Sequence, residues 1–410
     1  MTALHRTISS LLFVMTASSV SAADWPQFLG PLRNGASPET GLLTTWPKNG
    51  PKVLWKVPGG EGYASIAVVG GRAFTLVQRG DDELVLALDV KDGKTAWTYR
   101  LGPAYKNQYG NGPRATPTVD GDRVFVQSVN GQFAGLDKNT GKVLWSQNLF
   151  DTFHTKNISW GLSASPLVDG KLVYVLPGLQ GGVAALDKET GKVVWRTGKD
   201  KAAYASPIVA TSNGTRLLIV FTAPGLTALN PATGQEYWKI PWKTEYDVNI
   251  ATPLNVGDGL FVSSGEKVGC AFFKLTGKSK PTIVWQSKGP KSLMINYWAN
   301  SVVHGEHLFG FDGEYNVPSN LRCLKIKTGR LGWFRERFGK ANLALADGHL
   351  WITTAAGDVV VAAASPVGYQ EKGRVRLLQK DRYATMPTIA DKKLFVRDQV
   401  SIYCLDIAGK

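Results

Sequence analysis

The sequence predicts an all-β protein, an eight-bladed β-propeller of four-stranded blades. Three observations predict it. A phrase of the form A-L-D-x-x-T-G-K-V-x-W recurs along the chain, its Trp residues fall at a nearly constant interval, and the two chain ends carry complementary halves of that phrase.

The phrase reads ALDVKDGKTAW (87–97), GLDKNTGKVLW (135–145), ALDKETGKVVW (185–195), ALNPATGQEYW (228–238) and CLKIKTGRLGW (323–333). An apolar stretch runs to the Asp, a short polar loop ends in Gly, and a second apolar stretch carries the Trp, which describes a β-hairpin. Gly141, Gly191 and Gly234 supply the positive φ of the loop, and Asp137 or Asp187 closes it by accepting from backbone amides. Trp on the outgoing strand covers the neighbouring repeat.

A second phrase precedes each of these hairpins. It reads ATPTVDGDRVFV from Ala115, ASPLVDGKLVYV from Ala164, ASPIVATSNGTRLLIV from Ala205 and ATPLNVGDGLFV from Ala251, with looser versions at Ala64, Ala299, Ala341 and Ala384. Each is a further hairpin, so a unit holds four strands. The Trp markers at 55, 97, 145, 195, 238, 285 and 333 are 42 to 50 residues apart, the length of a propeller blade. The Ala markers count eight, and eight blades are expected.

The chain ends on YCLDIAGK, the first half of the phrase, and the repeats open on NGPKVLW at 49–55, the second half. Joined, they make one hairpin, so the N-terminal strand is expected to close the last blade and remove two sheet edges. The seventh unit (341–380) has GRVRLLQK where the Trp belongs and reads as a degenerate blade, with a locally specialised one as the alternative. Residues 23–48 fit no blade. They are expected to form a strap on the propeller, with Ser37-Pro38 as a short helix start.

The first 22 residues read as a cleavable secretory signal. His5 and Arg6 precede an apolar run, Ile8 to Val20, that ends in small residues and is too short to span a bilayer. The domain organisation expected is therefore a signal (1–22), a strap (23–48) and a propeller (49–410). A soluble monomer without a transmembrane anchor, periplasmic or secreted, follows. The formal charge of +15 is scattered without a basic block, which fits a solvated surface or attraction to anionic polymers; nucleic acid is not expected. Cys270, Cys323 and Cys404 align near one repeat position and read as small core residues. No CxxC or CxxCH is present, and no phosphate loop or nucleophile elbow.

Function in a propeller collects where the innermost strands begin. The segments there are YGNGPRATP, ISWGLSASP, KAAYASP, YDVNIATP, INYWANS, FGKANLA and DRYATMP. They put Arg114, Trp160, Tyr204, Asp247, Asn249, Trp298, Lys340 and Arg382 on one candidate ligand-binding rim. Rings that stack and cations that pair with carboxylates suit a planar anion, an acidic glycan or a partner peptide equally. Packing of the channel mouth is the structural alternative. No catalytic or metal-ligating set is assigned.

The ALDKETGKVVW phrase resembles the repeat of pyrroloquinoline quinone (PQQ) repeat proteins, from about Pro51 to the C-terminus. The leader DWPQFLGPLRNG looks like that of exported planctomycete members. The resemblance implies the eight-bladed propeller and two roles. One is the quinoprotein dehydrogenase, holding PQQ and calcium over the axis. The other is the non-catalytic propeller scaffold of outer-membrane β-barrel assembly. The chain lacks the adjacent Cys pair that covers PQQ in many alcohol dehydrogenases, a clear calcium-ligand set, and the lipoprotein Cys. The expectation is thus a non-catalytic binding or scaffold protein of the envelope, with an envelope protein or anionic glycan as partner. A PQQ-dependent oxidoreductase is the alternative.

Overall fold

The computed structural model describes residues 23–409, so the signal expected at 1–22 lies outside the described residues. Eight antiparallel four-stranded meanders pack side by side in a ring, each running from an innermost to an outermost strand. They span 67–103, 118–148, 167–197, 208–241, 254–288, 302–335 and 341–376 for blades 1 to 7. Blade 8 joins 388–406 to 52–58. Lys52–Pro58 pairs antiparallel with Ser401–Asp406, which closes the ring as the chain ends foretell. The single helix of the described residues, Leu149–Phe153, is capped by Asn148 and lies between blades 2 and 3.

The Trp phrase encodes a ladder across each blade. In blade 1, Phe74, Ala87 and Trp97 lie side by side on the last three strands. In blade 2 the row is Phe125, Gly135 and Trp145. The middle residue must be small because the rings close over it: a Cβ on Gly135 would stand 2.7 Å from Trp145. Every blade has a register shift in its outermost pairing, beside this row. Such a bulge adds twist and aims the side chain sideways, off its own sheet.

Thus aimed, the Trp seats on the next blade. A Cβ on Gly141 would come within 2.6 Å of Trp97, and one on Gly191 within 2.6 Å of Trp145. The indole Nε1 then donates to a carbonyl of the same loop: Trp97 to Lys138 at 3.0 Å, Trp145 to Lys188 at 3.0 Å and Trp195 to Pro231 at 3.1 Å. Those loops are held by Asp137 and Asp187, each accepting two backbone amides and a Thr hydroxyl. These bonds hold both carboxyls below the usual carboxylate range.

The A-S/T-P phrase has an equally specific purpose. From blade 1 to blade 6 the residue after the Ala forms a belt around the axis in which a backbone N–H donates to the next blade's side chain. Ser65 N donates to Thr116 Oγ1 at 3.0 Å, Thr116 N to Ser165 Oγ at 2.9 Å and Ser165 N to Ser206 Oγ at 2.9 Å. Ser206 N continues to Thr252 Oγ1 at 3.1 Å and Thr252 N to Asn300 Oδ1 at 2.8 Å. The Pro that follows carries no N–H, so the innermost edge has one donor fewer to satisfy.

Residues 24–48 cross the face opposite the rim. Trp25 forms a bridge with Val68, Val119 N donates to Pro26 O, Ser37 N to Leu345 O, and Leu43 N to Ile407 O. Ser37-Pro38 starts no helix: Ala36 bridges Leu345 and Ser37 N donates to Leu345 O, which pins the segment to blade 7 in a non-helical course. In blade 7 the row is Trp351, Val361 and Gly373, with no Trp on the outer strand. The strap fills the gap. Trp46 lies where a Cβ of Gly373 would be, 2.5 Å from it, its ring 6.0 Å from that of Trp351. The seventh unit is therefore the specialised alternative, completed by a strap residue of the same chain, and not simply degenerate.

The three Cys are free and buried, as expected of small core residues, and burial pushes Cys270 and Cys323 up to about 11 and Cys404 to about 12.

Because Trp46 stands in for a blade residue, Trp46→Ala should lower stability by about 3 kcal/mol, as for other buried Trp truncations. The urea midpoint, followed by far-UV circular dichroism, measures it; a shift within error of zero would mean that the strap rests on the ring without supporting blade 7.

Candidate functional site

The turns between second and third strands and the connections between blades share one face, opposite the strap. At its centre opens a cavity of about 610 Å³. It is blind, because the strap closes the far end and Phe28 forms part of its lining. Beneath it Arg33, 4 % exposed, donates to the carbonyls of Ser165 (3.3 Å), Pro166 and Pro207 (3.1 Å), and its Nε to Gln27 Oε1. No carboxylate contributes to its environment; burial alone pulls it down to about 9, which leaves it charged at neutral pH.

Ser65, Ser165 and Ser206 line the inner part of the cavity. Ser165 and Ser206 each accept a belt amide and keep the hydroxyl proton to donate. Further out stands a belt of rings. Trp160 packs on Tyr204 (5.8 Å) and Tyr109 (6.1 Å), Tyr109 on Tyr315 (6.2 Å), Tyr315 on Trp298 (5.5 Å), Trp298 on Tyr383 (4.8 Å) and Tyr383 on Tyr63 (5.3 Å). Tyr109 follows blade 1 and Tyr315 belongs to blade 6, so their contact reaches across the mouth and narrows it.

Of the eight residues expected on the rim, four line the cavity: Arg114, Trp160, Tyr204 and Trp298. Arg114 lies 4.8 Å over Tyr105 and donates to the Gly110 and Gly112 carbonyls; burial lowers its pKa. Tyr204 is buried, and its hydroxyl, beside the Trp160 backbone, makes no well-formed hydrogen bond. Lys340 and Arg382 sit on the mouth. The Lys340 ammonium stands 4.8 Å over Trp298, 5.1 Å over Tyr315 and 5.7 Å over Tyr383, its pKa lowered by burial and by Arg382. Arg382 lies over Tyr109 and donates to Gln108 O at 2.9 Å.

Asp247 and Asn249 do not line it. Asp247 pairs with Lys201 at 3.0 Å. Asn249 is fully buried, donating to the Thr222 and Trp242 carbonyls and accepting from Ser264, so it ties a loop to blades 4 and 5. Sequence reasoning missed Tyr63, Tyr109, Tyr315 and Tyr383, which come from four separate connections, and Phe28 and Arg33, which come from the strap. Tyr109 and Tyr383 stand inside the rim segments YGNGPRATP and DRYATMP; Arg33 left no local signal.

The lining does not fit PQQ held by calcium. Calcium takes about six to eight oxygen ligands with carboxylates prominent. Glu266 is the one carboxylate lining the cavity, and it accepts the Tyr297 hydroxyl. Among the described residues no three His, Cys, Asp or Glu side chains come together as a metal site.

The fold and site define an eight-bladed propeller with a strap-closed axial cavity. The family model described as "Outer membrane protein assembly factor BamB", of the PQQ_2 type, matches residues 36–176 and 104–333, and the chain belongs to that family. It is similar to the outer membrane protein assembly factor BamB of Moranella endobia, 26% identical over 318 residues, 74% of this chain and 76% of that one. The structure of BamB from Moraxella catarrhalis superposes with a TM-score of 0.64 at 17% identity, covering 86% of this chain and 97% of the other. Quinohemoprotein alcohol dehydrogenase from Comamonas testosteroni gives 0.67 at 12% identity, covering 94% and 80%. At these identities the structural likeness speaks for the fold.

Glu83, fully buried on the third strand of blade 1, feels the Arg114 charge and accepts from Val129 N, yet burial raises it to about 7. Its folded-state pKa exceeds the unfolded one, so the native state binds the extra proton and stability falls as pH rises from about 4.5 to 7, then levels. Glu83→Gln should flatten that fall and stabilise the protein at pH 8, by up to about 3 kcal/mol. Urea midpoints at pH 5 and pH 8 decide it; parallel pH dependence in both proteins would show that Glu83 is ionised throughout.

Proposed function

We propose that the protein is an exported, non-catalytic binding or scaffold protein of the cell envelope, periplasmic or secreted, whose rim face docks another envelope protein. One observation carries this reading. Loop tips on that face expose large apolar side chains, Leu179, Tyr246, Val317 and Val400, around the ring of mouth aromatics. Tyr246 is 55 % and Val317 49 % exposed. Apolar and aromatic side chains gathered on one face, with Arg382 and Lys340 among them, have the composition of a protein interface centre.

Membership in a family described as an outer membrane assembly factor supports a protein partner. The leader sequence supports export, and among the described residues no helix is long and apolar enough to cross a membrane. A ring of eight sheets locked blade to blade is a rigid platform, which suits docking with little ordering cost.

A photoreactive amino acid at Tyr246 or Val317, introduced into the protein in its native cells, should give a discrete crosslinked adduct, while the same label at exposed Val194 on the outer strand of blade 3 should not. Adducts of equal yield at all three positions would argue against a dedicated rim face.

A further inference from the structure

We infer that the blind axial cavity binds a small acidic sugar, a uronic acid or the uronate end of a short oligosaccharide, with its carboxylate toward the Ser165 and Ser206 floor. This cavity site goes beyond the rim docking and does not rest on it.

The charge of the floor comes first. Arg33 lies directly under it, bonded to the carbonyl of Ser165, whose side chain lines the cavity. Its charge is met only by carbonyls, a Gln and a Thr hydroxyl, not by a carboxylate. Above it, the Ser165 and Ser206 oxygens each already accept an amide, and each hydroxyl keeps its proton free to donate to a ligand. Arg114 on the wall commits two N–H groups to carbonyls and retains others. An inner cavity of donors over an uncompensated cation selects an anion, and a carboxylate can accept from several donors at once.

The walls select the body of the ligand. A planar aromatic acid needs parallel ring faces to sandwich it. No two adjacent rings of the belt form such a pair: they meet at 46° to 80°. Rings at these angles line a curved surface that suits the C–H faces of a puckered pyranose. Between them Asn300, Asn316 and Asn342 bring amide groups that can both donate and accept, as sugar hydroxyls require. The unpartnered Tyr204 hydroxyl, buried at the wall, is a further group with a hydrogen bond to make. A volume of about 610 Å³ lies within the small-ligand range of roughly 300 to 1,000 Å³. The closed far end admits the end of a chain and not its middle.

The experiment is calorimetric titration of the purified protein from Ala23 onward, alone, with D-glucuronic and D-galacturonic acids, D-glucose and D-galactose, and separately PQQ. At least one uronate should saturate, and its neutral parent should bind about tenfold more weakly or worse, since a buried donor set is left unpaired. Tyr204→Phe should weaken the uronate about three- to tenfold without lowering the melting temperature, because the hydroxyl has no well-formed hydrogen bond to lose. Arg114→Gln should also weaken it. Failure of both uronates to bind, equal affinity for glucose and glucuronate, PQQ binding in place of uronates, or native affinity in Tyr204→Phe would each overturn the inference. No envelope partner enters the assay, so its outcome is separate from that of the rim docking.

Discussion

The seat of one blade's Trp on the next blade's Gly loop is the interaction on which the ring depends. A propeller blade is a small twisted sheet that cannot bury both faces alone, so each must be fixed to its neighbour at a set distance and angle. The bulge beside the Trp turns the indole off its own sheet, the missing Cβ of the loop Gly lets the ring lie against backbone, and the Nε1 bond sets its orientation. Each component is useless without the others. That mutual dependence explains why the recurring phrase keeps Gly and Trp at fixed spacing while the intervening loop residues vary between Lys, Glu, Asn, Pro and Ala.

The axial belt answers a different constraint. Eight innermost strands face one another across the axis, each with an unpaired edge. Along blades 1 to 6 the Ser, Thr or Asn side chain of the following blade caps one amide, and in blades 2 to 5 a Pro removes another donor. The remaining carbonyls still need partners, and Arg33 supplies several at once. Arg397 does the same at the seam of the ring, donating to the carbonyls of Gly60 and Leu76, which joins blade 8 to blade 1. Both guanidiniums are buried with carbonyls as their main acceptors, a task suited to a planar fork of five donors and not to a lysine. The cavity and its inner charge are thus by-products of closing an eight-fold ring.

Most of the fold was legible because its determinants are local and repeated. A hairpin phrase carries its own turn chemistry, and eight copies average out the irregular ones. The two ends could be joined on paper because each held half of a known hairpin. Trp46 was not legible as the eighth member of the Trp series: it is far in sequence from Gly373, and only the path of the strap brings it there. Ser37-Pro38 misled for the same reason, since a tertiary pairing to Leu345 overrides a local helix signal. The rim was half legible. Position before an Ala marker locates a residue near the axis, but not whether it faces the opening, as Trp160 does, or the loops behind it, as Asn249 does.

The strap ties these two systems together. Its first part reaches blades 1 and 2 and delivers Phe28 and Arg33 to the axis, while its second part reaches blades 7 and 8 and delivers Trp46. One segment therefore closes the cavity and completes the blade that lacks its own outer Trp. A ring with an ordinary seventh Trp would need no strap there, and its axis could stay open at both ends. Replacement of a blade residue by a strap residue makes the closed cavity a condition of stability, so a binding site at the axis is kept blind by the same contacts that keep the ring whole.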